Sequence, residues 1–269
     1  THTITNTPPV VDSMSITPSA PDALTSSLTC VVSGSDADGD TVTFTYEWLV
    51  DTVTQSETSN LFSTAFVVGS VISCRSTPTD GKDTGNTEQV DVTIENTVPV
   101  VDSVSLSPSS VYTNDVITAT AVLSDVDSSQ SGSLSATYDW YVDGATTPVQ
   151  SGSSNTLDGA THFDRGQDVY VMVTPNDGVE DGSPVASNTI TVLNTAPTAP
   201  VVSVSPDPAT AGSDDLTCSV DTPSSDIDGD GVVYTYVWTD DLGVVQQTTT
   251  EVPDTSDVYL AAGTTEGTW

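Results

Sequence analysis

Three short acidic runs place several oxygen ligands within a few residues of one another. They are Asp36-Ala37-Asp38-Gly39-Asp40, Asp125-Val126-Asp127-Ser128-Ser129 and Asp226-Ile227-Asp228-Gly229-Asp230-Gly231. Alternating aspartates on a turn aim hard oxygens at one point. Calcium favours such donors and takes about six to eight of them at roughly 2.3–2.6 Å. The chemistry on offer is therefore ion binding, with Asp36, Asp38, Asp40, Asp125, Asp127, Asp226, Asp228 and Asp230 as candidate ligands of Ca2+. Asp and Gly are also good turn formers, so a purely local role stays open.

Neither of the two runs with three aspartates is an EF-hand. The twelfth position of the third run is Val237, inside an apolar alternation, and the sixth position of the first is Thr41 rather than Gly. Little else in the chain suggests chemistry. His2 and His162 have no counterparts in the other repeats, and a zinc site or a nucleophile–His pair needs more than these two. There is no Gly-rich phosphate loop. The acidic residues recur in turns, which favours structure over acid–base catalysis, and no enzyme is expected. With 3 Lys+Arg against 38 Asp+Glu, a formal net charge of −35, the surface repels phosphate and anionic headgroups. Nucleic acid is excluded as a partner, and no apolar run is long enough for a membrane-spanning helix. Lys82 is the single lysine, too few for one internal Lys–Asn isopeptide bond per repeat.

The acidic runs recur because the whole chain repeats. Asn6-Thr7-Pro8-Pro9-Val10-Val11-Asp12-Ser13 returns 90 residues later as Asn96-Thr97-Val98-Pro99-Val100-Val101-Asp102-Ser103. After a further 98 residues it returns, more loosely, as Asn194-Thr195-Ala196-Pro197. Such a period is too long for a solenoid unit and fits one small β-sandwich. Each repeat carries an aromatic strand: Val42, Phe44, Tyr46, Trp48 and Val50; then Ala136, Tyr138, Trp140 and Val142; then Val232, Tyr234, Tyr236 and Trp238. Alternation of this kind marks a half-buried strand. Leu28, Cys30 and Val32 form an inward face before it, and Ile72 and Cys74 one after it. A polar turn at Thr79-Asp80-Gly81 and a last strand with Val90, Val92 and Ile94 follow.

No helical period appears, so the expected fold is all-β: tandem antiparallel sandwiches arranged as a rod. The boundaries read as 7–96, 97–194 and 195–269, the last unit lacking its final two strands. Residues 1–6 read as the end of a preceding unit's last strand. Thr1-His2-Thr3-Ile4-Thr5 is similar to Val92-Thr93-Ile94-Glu95 and Ile190-Thr191-Val192-Leu193, which makes the chain a window on a longer protein.

The order Cys30, Trp48, Cys74 resembles the immunoglobulin-like pattern, in which a buried Trp packs against a disulfide joining the two sheets. The resemblance implies a Cys30–Cys74 bridge. In the second repeat Ala119 and Val171 fall at the two Cys positions. Both cysteines are thus lost together, as residues in contact would be, and neither replacement could serve as a metal or catalytic thiol. Cys218 occupies the first position in the third repeat, and its partner would fall just past Trp269. A bridge implies an oxidising compartment.

The Asn-Thr-x-Pro linkers, the Asp-x-Asp-Gly-Asp loops, the Tyr-x-Trp strands and Thr174-Pro175-Asn176-Asp177-Gly178 resemble the tandem immunoglobulin-like, cadherin-like and PKD-like modules of large bacterial surface proteins. The chain departs from PKD modules after Trp48 and Trp140, where Leu49-Val50-Asp51 and Tyr141-Val142-Asp143-Gly144 stand in place of Asp-Phe-Gly-Asp-Gly. In such sandwiches the Asp loop lies beside the loop joining the last two strands, here Asp80 and Asp83, or Asp177, Glu180 and Asp181. The linker Asn96 or Asn194 arrives at the same end. The resemblance therefore implies calcium between modules, held by the loop aspartates with Asn96 and Asn194. It also implies a stalk, adhesin spacer or fibre on the outside of a bacterial cell, whose first partners are its own neighbouring modules. Two alternatives are a filament built from edge strands of several copies and a set of carbohydrate-binding modules on a secreted enzyme. For surface glycans, Tyr141, Tyr170 and Leu49 are the side chains that point away from the inferred core.

Overall fold

The computed structural model describes residues 2–127, 129–130 and 132–267. Thr1, Ser128 and Trp269 lie outside the described residues. The first sandwich contains β1 (Val10–Thr17), β2 (Leu28–Ser35), β3 (Thr43–Val50), β4 (Val53–Thr54), β5 (Leu61–Phe62), β6 (Val71–Thr79) and β7 (Glu88–Thr93). One sheet runs β1-β2-β5 and the other β4-β3-β6-β7. The second contains β8 (Val100–Ser107), β9 (Val116–Ser124), β10 (Ser135–Val142), β11 (Gln150–Gly152), β12 (Thr156–Asp158), the one-turn helix α1 (Gly159–His162), β13 (Asp168–Asn176), β14 (Val185–Ala186) and β15 (Ile190–Thr191). Its sheets run β8-β9-β12 and β11-β10-β13-β14, with β15 also on β13. The third unit contains β16 (Val201–Ser205), β17 (Leu216–Thr222), β18 (Tyr234–Thr239), β19 (Val245–Val252) and β20 (Ser256–Tyr259). These form the sheet β16-β17-β20 and the hairpin β18-β19. The chain is thus all-β, a tandem of immunoglobulin-like antiparallel sandwiches.

Period-two alternation explains both cores. In the first, Ile16, Leu28, Cys30 and Phe62 of one sheet meet Trp48, Ile72 and Cys74 of the other. Trp48 is fully buried, and its indole N–H donates to the Ser59 carbonyl at 2.9 Å, so burial leaves no donor unpaired. Cys30 and Cys74 are joined across the sheets, with Cα atoms 6.3 Å apart. In the second core Trp140 donates to the Ser154 carbonyl at 3.3 Å. Ala119 and Val171 are both fully buried there at the cysteine positions. The tryptophans stand directly across from Cys74 and Val171 in their sheets.

The repeated Val-Val-Asp-Ser encodes an irregularity in the first strand. Pairing register slips between Val11 and Ser13, and again between Val101 and Ser103. The aspartate left at each slip accepts a serine hydroxyl from the neighbouring strand, Ser35 to Asp12 and Ser124 to Asp102, both at 2.9 Å. Such a bulge bends the strand where the linker enters.

Residues 2–9 form no strand, and Ile4 is 92% exposed. Among the described residues no neighbouring strand is present for this segment to pair with. One expectation needs adjustment, that for Leu49. This residue is 4% exposed although it belongs to neither apolar core cluster, so it offers no platform to a ligand.

Among its described residues the third unit has counterparts of β1 to β5 and none of β6 or β7. Trp238 donates to the Asp257 carboxylate at 2.7 Å instead of to a backbone carbonyl. Val204, Cys218, Tyr236 and Trp238 line an open groove of about 220 Å³. Cys218 is a free, half-buried thiol. Burial pushes its pKa up, which disfavours the reactive thiolate.

Candidate functional site

The acidic loops gather at the joints, and each aspartate has its own role there. The first one folds the loop. The Asp36 carboxylate accepts the Asp38 amide at 2.8 Å, Asp125 accepts Asp127 at 2.7 Å, and Asp226 accepts Asp228 at 2.8 Å. This Asx turn is the local reason for Asp at that position. The second aspartate reaches the linker. Asp38 accepts the Thr7 amide at 2.7 Å, Asp127 accepts Thr97 at 2.7 Å, and Asp228 accepts Thr195 at 2.6 Å. The third, where present, meets a cation: Lys82 on Asp40 at 2.6 Å, and Arg165 on Asp230.

The linker asparagines complete each joint. The Asn6 side-chain amide donates to Asp80 at 2.8 Å and to Asp83 at 2.9 Å. Asn96 donates to Asp177 at 2.9 Å and accepts from the Gln130 amide at 2.7 Å. Asn194 accepts from Arg165 at 2.6 Å. Charge-assisted bonds of this kind are among the stronger hydrogen bonds. They also tune acidity. The Asn6 amide, with the Asp83 and Lys82 backbone N–H groups, holds the Asp80 carboxyl down to about 2. The Glu180 N–H and then Asn96 hold Asp177 below the usual carboxylate range, against the opposing effect of burial. The Thr113 hydroxyl, the Thr195 amide and Arg165 do the same for Asp228.

A glycine closes each of the two complete joints. A Cβ on Gly85 would stand 2.0 Å from the Pro9 carbonyl oxygen, and one on Gly182 would stand 1.9 Å from that of Pro99. Only a residue without a side chain lets the linker approach so closely.

Backbone pairing passes from one unit to the next between consecutive residues. Glu95 donates to the Pro21 carbonyl of the first sandwich at 2.7 Å. Asn96 and Thr97 are already held by Asp177 and Asp127 of the second. Likewise Leu193 donates to Val111 at 2.7 Å and Asn194 accepts from Arg165, both of the second sandwich, while Thr195 is held by Asp228 of the third unit. Neither linker has a free residue between its two anchors.

Of the sequence-derived candidates, Asp36, Asp38 and Asp40 share the first joint. Asp125, Asp127 and Asn96 share the second, and Asp226, Asp228, Asp230 and Asn194 the third. Yet no three His, Cys, Asp or Glu side chains among the described residues stand together as a metal-holding group. Sequence reasoning missed Gln130 and Arg165, which have no counterpart in the other repeats to draw attention to them. It also missed that the second aspartate of each run is a linker clamp. Tyr141 and Tyr170 stack across strands on the outer face of the second sandwich, centroids 5.0 Å apart and planes 9° apart.

No family model matches the chain, and no curated protein matches it in sequence. Several solved tandem-sandwich structures are similar in outline. The first to third fibronectin type III domains of chicken CNTN1 give a TM-score of 0.33 at 13% identity, over 94% of this chain and 88% of that one. A two-domain fibronectin type III segment of chicken tenascin gives 0.37 at 11% identity, over 68% and 99%. Fibronectin(III)-like modules of CbhA from Clostridium thermocellum give 0.24 at 19% identity, over 69% and 94%. At TM-scores below 0.5 these likenesses carry no weight of their own, and the fold stands on the strand pairings described above.

Proposed function

We propose that the chain is a spacer segment of an extracellular bacterial surface protein, a run of sandwiches that carries something away from the cell. The observation that supports it is the handover of hydrogen bonding within consecutive linker residues at both junctions, Glu95 to Asn96 and Asn194 to Thr195. A linker with no free residue passes bending and torsion directly to its neighbour, which suits a stiff stalk and not a flexible tether. The Cys30–Cys74 bridge supports an oxidising location. The carboxylates have a structural part in this reading, and no catalytic role is assigned to them.

Small-angle X-ray scattering of the whole chain tests the proposal. Sandwiches of roughly 35–40 Å each, placed end to end, give a radius of gyration of roughly 30 Å. A compact chain of this length gives about 18 Å, and a value near that would overturn the spacer. The stacked Tyr141–Tyr170 pair favours a second reading, a sugar-binding face on the second sandwich alone. Glycan-array binding lost in Tyr170→Ala would raise that reading above the first.

A further inference from the structure

The three joints gather similar charge and meet it differently. The chain has 3 Lys+Arg in all. Arg75 pairs with Glu47 at 3.2 Å on the open face of the first sandwich, Lys82 with Asp40 at the first joint, and Arg165 with Asp230 at the third. Nothing basic is left for the second. The two positions that supply cations elsewhere are apolar there. Val179 stands at the place of Lys82 in the loop that begins at Asp177. Val68 stands at the place of Arg165, each preceding a glycine whose N–H donates at 2.8 Å to the residue just after the last strand, Gly69 to Ile94 and Gly166 to Val192. Burial is nonetheless deepest at the second joint: Asp127 is 2% exposed, whereas Asp38 is open to solvent and Asp228 half-buried.

The second joint also holds half of the unpaired oxygen, against Asp36 Oδ2 at the first and Thr195 Oγ1 and Asp228 Oδ1 at the third. Among the described residues eight buried side-chain oxygens lack a hydrogen-bond partner, and Thr97 Oγ1, Asp125 Oδ2, Asp127 Oδ1 and Gln130 Oε1 are four of them. The other three residues are each bonded to Asp127: Asp127 N–H to Asp125 at 2.7 Å, Thr97 N–H to Asp127 at 2.7 Å, and Gln130 N–H to the Asp127 carbonyl at 2.8 Å. The orientation of Gln130 is fixed from outside. Asn96 spends its amide on Asp177, so its oxygen takes the Gln130 amide and leaves the Gln130 oxygen free.

Buried carboxylates with neither counter-charge nor full hydrogen bonding are strongly disfavoured. Water could fill lone pairs but would not neutralise two charges. Two carboxylates and two neutral oxygens match a hard divalent ion, with water completing its shell. The absence of His and Cys from the set disfavours zinc and softer metals, and the irregular oxygen geometry suits calcium better than magnesium. We propose that the second joint, and not the first or third, is a site for one divalent cation, calcium by its donors, held by Asp125, Asp127, Thr97 and Gln130. At the other two joints Lys82 and Arg165 are the built-in substitutes. The consequence for stiffness rests on the spacer reading; the binding itself does not.

Calorimetric titration of calcium into the chelator-stripped whole chain tests this. One equivalent is expected, with Kd in the range of roughly 10⁻⁵ to 10⁻³ M. Asp127→Asn, which can still accept from Thr97, should weaken binding by about tenfold or more. Thr97→Val, which keeps its backbone N–H, should weaken it in the same direction, with circular dichroism confirming that both variants fold. Asp38→Asn and Asp228→Asn should retain the single equivalent, and Ser129→Asp with Val179→Lys should remove it. No heat up to about 10 mM calcium, three equal sites, or binding indifferent to Asp127→Asn overturns the proposal. Scattering on the same samples separates it from the spacer reading. An extended chain that ignores calcium keeps the spacer and loses the site, and a compact chain that binds one calcium does the reverse.

Discussion

The first and second sandwiches share strand order, bulge, tryptophan and linker clamp, and two of their differences are exchanges of a whole pair. The first has a disulfide at the centre of its core where the second has Ala119 and Val171. The first has Lys82 and Asp40 at its joint where the second has Val179 and Ser129. Each difference replaces a whole interacting pair and leaves no half behind. An unpaired partner of a buried or charged pair costs more than the pair is worth. Paired loss is therefore the substitution pattern a stable repeat tolerates.

The disulfide should dominate the contrast. Closing its loop stabilises the first sandwich by roughly 4 kcal/mol on the chain-entropy estimate. Cys30→Ala with Cys74→Val, which copies the second core into the first, should lower only one of the calorimetric unfolding transitions. A reductant should lower the same one. If reductant leaves every transition in place, the bridge does not set the difference between the two cores.

Next in size are the glycines at which linker and loop touch. Gly182→Ala and Gly85→Ala each force the linker backbone away from a proline carbonyl. Overpacking of this kind costs about 1–3 kcal/mol. The second sandwich, without a disulfide in reserve, should show the larger fractional loss of stability in urea titrations. Equal fractional losses would mean that the joint and the core are energetically separate.

Much of this architecture was legible in the sequence, because it rests on local rules. Alternation around Trp48 and Trp140 marks the half-buried strands, and the joint loss of Cys30 and Cys74 at Ala119 and Val171 points to their contact. The aspartate loops were also placed at the joints. Their roles were not legible. Whether Asp38 binds an ion, a turn amide or a linker amide depends on what the fold brings to it, and composition is the same in each case. Arg165 was invisible for a related reason. Its partners Asn194 and Asp230 are 29 and 65 residues away and lie beyond the second sandwich's own strands.

The Lys82–Asp40 pair should matter little to stability. The lysine side chain is 61% exposed, and exposed ion pairs are worth about 0–1 kcal/mol. Lys82→Ala should therefore leave the melting temperature of the first sandwich almost unchanged. A large drop would show that the cation is integral to the first joint's fold and not merely a charge placed beside it.

The smallest effect expected is a displacement in acid. Asp80 and Asp177 both have lowered carboxyl pKa values, so their contribution to stability is present above the ordinary carboxylate range and is lost as pH falls through the lowered value. For Asp80 that window runs from about 4 down to about 2. The causes differ in rank, however. The Asn6 side chain is the largest support of Asp80, whereas for Asp177 the Glu180 backbone N–H comes first and Asn96 follows. Asn6→Ala should therefore raise the Asp80 carboxyl toward the ordinary range. Asn96→Ala should move Asp177 less, because the loop that folds around it survives the substitution. Carboxyl carbon shifts followed by NMR between pH 5 and 2 read both displacements in one chain. If Asn96→Ala moves Asp177 as far as Asn6→Ala moves Asp80, then the linker, and not the loop, holds the charge at the second joint. The two joints would then be alike in what holds that charge, although their other hydrogen bonds differ.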